Sequence, residues 1–185
     1  AGEVEIFEDP SAKGGAFANM YEGTDTSYGK ITNGKLHAVI DSGSVITFYH
    51  EDGRVLLKEH FRRLRDEESM PLNIMGREYS NGVGDNFRIV ARFVARKGEK
   101  IFGMGQYQQH ELDLKGCMLE LAQRNSQVSV PFYLSSIGYG FLWNNPGVGQ
   151  VMFANNGTEW VTESGKEIDY LVIAGDTPAE IEENY

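Results

Sequence analysis

Glycine sets the tightest limit on what this chain can become. There are 22 glycines among 185 residues, against a usual share of about 7%, and they are scattered without a period. Glycine at that density supplies positive-φ positions to many tight turns. The apolar stretches between those turns are short and read as strands. Phe87–Val94 shows a period of two, with Phe87, Ile89, Ala91 and Phe93 on one face and Arg88 and Arg92 on the other. Leu36–Ile40 and Val45–Tyr49 flank Asp41–Ser44, and Glu51-Asp52-Gly53 then turns the chain into Val55–Leu57, a meander of hairpins. Further strands are expected at Val128–Ser135, Gly138–Trp143, Gln150–Phe153, Glu159–Thr162 and Ile168–Ala174. Asn156-Gly157 reads as a type I′ turn. Gly103-x-Gly105, Gly138-x-Gly140 and Gly147-x-Gly149 lack the rest of a dinucleotide fingerprint and read as turns. The helical spacing of Leu57, Phe61 and Leu64 competes with an edge strand over His60–Arg65, and the strand is preferred because its surroundings are strand-like. Together these features point to an all-β fold, an antiparallel β-sandwich or a related architecture.

The charge balance then narrows the partners. Twenty-seven acidic residues against 17 basic give a formal charge of −10, a field that repels a phosphate backbone. The one cationic cluster, Arg62, Arg63 and Arg65, is cancelled by Asp66, Glu67 and Glu68, so no nucleic-acid partner is expected. No apolar run approaches the roughly 18 residues of a spanning helix, and the chain is read as not a membrane protein. Its N-terminus lacks the basic and apolar regions of a signal peptide. The expected location is cytoplasmic, with secretion or the periplasm left open. Cys117 stands alone and reads as a small buried apolar residue. His37, His50, His60 and His110 show no ligand spacing, so neither a metal nor an organic cofactor is expected.

Thr177-Pro178-Ala179-Glu180 is a capping box with proline at the first helical position. A helix therefore starts there, with Ile181 and Tyr185 on its buried face. Tyr185 falls about two turns in, without a glycine cap or a basic last turn. A helix that short is marginal alone, and the sequence reads as cut within something larger.

From Ile101 to Tyr185 the residues resemble the end of the N-terminal β-sandwich domain of glycoside hydrolase family 31, the α-glucosidases and α-xylosidases. The resemblance lies in Phe102–Gln106, Asp113–Gly116, Leu121–Asn125, Val130–Ser136, Gly138–Asn145 and Asp169–Pro178, closing with Glu180–Tyr185. Residues 30–60 resemble the opening of that domain more loosely. The resemblance implies a galactose-mutarotase-like supersandwich over residues 1–185. Residues 177–185 would then begin a linker helix to a missing (β/α)8 catalytic barrel. It also implies a retaining mechanism through two barrel aspartates, neither of which belongs to the sandwich. No Trp-x-Asp-x-x-Glu segment of the kind around the family's nucleophile occurs here. The chain is thus expected to be a non-catalytic supporting domain whose partners are its own barrel and an α-linked oligosaccharide or glycoside. Oligomeric state is left open.

The resemblance further implies a loop from the sandwich over the barrel mouth, placed within Gln106–Val128. Amide and guanidinium groups suit vicinal hydroxyls, and Gln123, Arg124, Asn125 and Asp113 are the expected sugar-lining residues. Glu111 and Asp113 could share one face of a possible strand as an acid pair, and His110 adjoins Glu111. Neighbours on a strand point to opposite sides, which weakens a mutarotase-like pairing. Tyr139, Phe141 and Trp143 share a strand face and are read as core before sugar platform. An independent carbohydrate-binding module is the alternative reading.

Overall fold

The computed structural model describes residues 3–6, 27–41, 43–63 and 73–185. They form two compact units, residues 1–59 and 60–185. The first is a five-stranded antiparallel meander: β1 (Glu3–Ile6), β2 (Ser27–Asn33), β3 (Leu36–Asp41), β4 (Ile46–His50) and β5 (Val55–Lys58), in sequential order. The expected Asp41 turn is held by its own carboxylate, whose Oδ1 accepts from the amides of Gly43 and Val45, both at 2.9 Å.

The second unit contains β6 (Arg62–Arg63) paired with β7 (Asn73–Ile74), then β8 (Arg77–Asn81), β9 (Phe87–Phe93), β10 (Ile101–Gln106) and β11 (Met118–Leu121). β12 (Val128–Ser135), β13 (Tyr139–Trp143), β14 (Gly149–Ala154), β15 (Gly157–Gly165), β16 (Tyr170–Ala174) and α1 (Pro178–Asn184) complete it. Two sheets make the sandwich: four strands in the order β10-β12-β13-β16, and five in the order β11-β14-β15-β9-β8. The strand preferred within His60–Arg65 is present as β6; residues 64–72 lie outside the described residues.

Aromatic rings from both sheets fill the space between them. From the four-stranded sheet come Tyr133, Tyr139, Phe141, Trp143 and Tyr170, and from the five-stranded sheet Phe93, Phe153 and Trp160. Trp160 is fully buried and stacks on Phe141, Trp143 and Tyr133 at centroid distances of 5.2, 5.6 and 6.2 Å. Phe153 meets it edge-on at 6.0 Å. The face shared by Tyr139, Phe141 and Trp143 is therefore core, as read. Both indole Nε1 groups, of Trp143 and Trp160, are buried without a hydrogen-bond partner. These two rings thus contribute through area and stacking while leaving a donor unsatisfied.

The outward rows of the two sheets differ. On the four-stranded sheet, pairing aligns Phe102, Leu134, Gly140 and Ile173 in one row and Phe132, Leu142 and Leu171 in the next. On the five-stranded sheet, the outward positions carry the charged Arg88, Arg92, Glu78, Glu159 and Glu163 around the buried Val90 and Val161. α1 forms as expected: the Glu180 amide donates to Thr177 Oγ1 at 3.2 Å, and Ile181 is buried. The Glu180 carboxylate reaches back one residue further than a capping box requires, accepting from the Asp176 amide at 2.9 Å. Tyr185 is half exposed but stacks on Phe132 at 4.4 Å.

Two turn expectations are corrected. Ala154 pairs with Gly157, so the β14–β15 turn is centred on Asn155-Asn156, one residue before the expected site. Neither asparagine has positive φ, and it is not a type I′ turn. Gly103-Met104-Gly105 is not a turn but a bulge inside β10. All three residues have positive φ, at 114°, 70° and 90°, and Gly103 and Gly105 pair with Tyr133 and Ser129, skipping three residues of β12. A Cβ at Gly105 would lie 2.2 Å from the Val128 carbonyl oxygen, which explains the glycine. Met104 accepts the strained conformation and gains complete burial.

Replacing Trp160 with alanine removes the ring on which both sheets converge. Chemical denaturation of this variant is expected to show a loss of about 3–5 kcal/mol; a loss under about 1 kcal/mol would show that the sheets are held elsewhere.

Candidate functional site

The Gln106–Val128 region is two crossings rather than one loop. Tyr107–Cys117 leaves β10, at the edge of the four-stranded sheet, and reaches β11, at the edge of the five-stranded sheet. Ala122–Gln127 returns to β12. The first crossing runs back along β10: the Leu114 amide donates to the Ile101 carbonyl at 2.8 Å, and Leu114 is buried. The carboxylate of Asp113 extends that pairing, with Oδ1 accepting from the Ile101 amide at 3.0 Å and the Lys115 amide at 3.1 Å.

Lys115 then reaches inward. Its Nζ lies 3.2 Å from Oε2 of Glu99, a nearly buried ion pair with side chains 10% and 3% exposed. The other oxygen of Glu99 accepts from Ser135 Oγ at 2.6 Å and the Tyr139 hydroxyl at 2.9 Å, and Tyr139 lies 3.0 Å from the Tyr133 hydroxyl. A buried carboxylate is costly unless its lone pairs are met, and here one cation and two hydroxyls meet them. Burial pushes the phenols of Tyr133 and Tyr139 well above their ordinary value. The nearby Glu99 charge adds to the rise at both.

The return crossing is built on Gln123. Its amide mimics a strand, with Nε2 donating to the Ser129 carbonyl at 2.7 Å and Oε1 accepting from the Ser129 amide at 3.1 Å. Tyr107 closes the corner, its hydroxyl 2.8 Å from both the Glu120 carbonyl oxygen and Ser129 Oγ. Arg124–Gln127 is a tight turn, closed by the Gln127 amide on the Arg124 carbonyl at 3.0 Å, with Ser126 at φ 70°. Arg124 forks onto Glu120, Nε to Oε2 at 2.7 Å and a terminal nitrogen to Oε1 at 2.5 Å. That contact lowers the Glu120 pKa and raises that of Arg124. Both groups stand in solvent, so the pair adds little stability. Asn125 is exposed within the turn.

An open cleft of about 350 Å³ lies between this crossing and the β13–β14 loop, a volume within the range of small-ligand sites. Leu121, Gln123, Ser129 and Pro131 form one wall, and Asn145, Pro146, Gly147 and Val148 the other. Of the four expected residues, Gln123 lines the cleft, while Arg124 and Asn125 follow it in the exposed turn. Asp113 lies elsewhere, beside Ile101. The second wall was missed by sequence reasoning from the residues. Its signal is the register of Leu121 with Gly149, a long-range pairing that no local pattern announces.

No acid or histidine is among the residues lining the cleft, whose polar side chains are those of Gln123, Ser129 and Asn145. Glu111 and Asp113 lie on a loop, not on the strand that would have faced them together. His110 is 96% exposed and 3.5 Å from Glu111, a surface pair. Cys117 is partly rather than fully buried; that burial, with the charges of Glu111 and Asp113, raises its thiol, which disfavours the thiolate. Among the described residues no three His, Cys, Asp or Glu side chains gather as a metal site would require.

Fold and cleft together define an antiparallel β-sandwich bearing an open cleft, with no acid among the residues that line it. No family model matches the chain. An uncharacterised family 31 glucosidase of Pseudescherichia vulneris is 45% identical over 166 residues, covering 84% of this chain and 31% of that protein. An α-xylosidase of Saccharolobus solfataricus is 33% identical over 108 residues, 54% of this chain and 15% of the relative. The crystal structure of a family 31 α-xylosidase from a soil metagenome, complexed with xylose, superposes with a TM-score of 0.81 at 42% identity. That match covers 97% of this chain and 25% of the other. The chain is a family 31 glycoside hydrolase sequence, and it spans less than a third of the length of these relatives.

The tyrosine pair is expected to set an alkaline limit on stability. Unfolding frees phenols that ionise near pH 10, whereas the folded state keeps both protonated to higher pH. The unfolded chain therefore binds fewer protons from about pH 9 upward, and stability falls as pH rises, with a slope that approaches about 1.4 kcal/mol per pH unit for each tyrosine only near pH 11. Denaturant titrations at pH 9–11 are expected to show this slope reduced by one tyrosine's share in Tyr133→Phe. An unchanged slope would place the alkaline limit in other groups.

Proposed function

We propose that the chain is the non-catalytic β-sandwich domain of a retaining α-glycosidase acting on α-xylosides or α-glucosides. The observation that carries this reading is the 42% identity over 97% of the chain to an α-xylosidase of which the match covers only 25%. The cleft agrees with it: it is open, and its lining residues include no carboxylate pair for glycosidic cleavage. In this reading the domain supports the catalytic barrel and lends its Ala122–Gln127 crossing to the sugar pocket. Gln123 supplies the wall, and Arg124 and Asn125 reach the substrate. Asp113, with one carboxylate oxygen accepting from two backbone amides, holds the neighbouring crossing in place.

The 185-residue chain is expected to leave aryl α-xyloside and α-glucoside intact, while a chain extended through the following coding sequence cleaves one of them. Cleavage by the short chain alone would overturn the reading. In the extended enzyme, Arg124→Ala is expected to raise KM about tenfold, the scale of one charge-assisted hydrogen bond. Its melting temperature should stay unchanged because the Arg124–Glu120 pair is exposed. Unaltered kinetics would remove Arg124 from the pocket.

A further inference from the structure

An asparagine followed by glycine carries a reaction within its own backbone. The glycine amide nitrogen attacks Cγ of the asparagine, since glycine has no Cβ to crowd the approach. Ammonia leaves and a succinimide ring closes. Water then opens the ring at one carbonyl to give aspartate or at the other to give isoaspartate. The attack needs a glycine amide that no hydrogen bond claims and a backbone free to bend towards the side chain. Three such pairs occur in this chain: Asn33-Gly34, Asn81-Gly82 and Asn156-Gly157.

The fold treats the three differently. The Gly82 amide donates to the Asn86 carbonyl at 3.0 Å, and a Cβ at Gly82 would lie 2.7 Å from that same oxygen. Both its nitrogen and its backbone are held. Gly157 is the first residue of β15 and pairs with Ala154 across the two-residue turn, where its amide is the donor that closes the turn. Asn33-Gly34 sits one position differently in its own hairpin. Asn33 pairs with Leu36, so Gly34 stands inside the β2–β3 turn and its amide lies outside the ladder. Gly34 has φ 56°, a Cβ built on it would meet open space, and both Asn33 and Gly34 are exposed.

We propose that Asn33 is the site at which the folded chain modifies itself by deamidation, while the other two pairs are held out of reaction by their turns. Both products add a negative charge to a chain that already carries a formal −10. Isoaspartate also routes the backbone through the former side chain, inserting a methylene at the end of β2. The next pair in the ladder is Thr32 with His37, whose Oγ1 and Nδ1 lie 2.9 Å apart, so the isoaspartyl form loosens the hairpin at that bond first. The proposal stands independently of the glycosidase reading.

Ageing followed by peptide mapping tests the assignment. The chain is incubated in mildly alkaline buffer, digested at acid pH to stop the reaction, and the aspartyl and isoaspartyl forms at each pair are counted by mass spectrometry. A parallel sample in guanidinium chloride gives the unfolded rates. Reaction at Asn81 or Asn156 requires local opening, which costs free energy, so Asn33 is expected to convert at least about tenfold faster than either in the folded chain. In guanidinium the three rates are expected to converge, because all three dipeptides are then equivalent. Folded Asn81 or Asn156 converting as fast as Asn33 would overturn the proposal. A folded Asn33 as slow as the other two would do the same. Asn33→Gln, which keeps the amide but lengthens the ring that must close, is expected to remove the early acidic species seen on ion exchange; its persistence would place the modification elsewhere.

Discussion

Two sheets of unlike outer character are held together by the ring of Trp160, projecting from β15 into the stack formed by Tyr133, Phe141 and Trp143. Burial of large rings is the main favourable term available to a β-sandwich of this size, and here it is concentrated at a single centre. The buried network around Glu99 adjoins that centre through Tyr133 and Tyr139, which present ring faces to the core and hydroxyls to the carboxylate side. Lys115 carries the same order outward to the first crossing. The position of the loop is thus fixed from the core rather than from its own sequence.

Where the local pattern was strong, the elements could be read directly. Phe87–Phe93 alternates because one face is core and the other bears arginines, and Val128–Ser135 is bounded as expected. β8 was invisible: Arg-Glu-Tyr-Ser-Asn has no apolar period, and it is a strand because β9 offers it an open edge. β10 was hidden for the opposite reason. Its glycines suggest a turn, and only the approach of the Val128 and Phe132 carbonyls shows that they are needed inside a ladder. Tertiary context overrode local preference in both cases.

The candidate site was half legible. Amides and a guanidinium near the start of β12 were readable as a polar wall, and Gln123 does line the cleft. Asp113 looked the same in the sequence but lies beside Ile101, and it and Gln123 both bond the chain's own backbone, the carboxylate to two amides and the carboxamide to Ser129. Side-chain chemistry alone does not separate a group facing a ligand from one completing a turn, because both need the same acceptor. The opposite wall, Asn145–Val148, depends on a pairing across nearly 30 residues of sequence and had no local trace.

The bulge at Gly103-Met104-Gly105 joins these threads. Because β10 skips three residues of its partner, Val130-Pro131-Phe132 has no register partner on the β10 side. Pro131, which has no amide proton to lose there, enters the cleft wall, and Phe132 becomes the seat of Tyr185. One irregularity in an edge strand therefore shapes the concave surface and the platform for the closing helix together. Neither can be re-contoured by exchange of its own side chains alone; an engineer altering the cleft floor would be editing the helix's seat as well, through three residues that line neither.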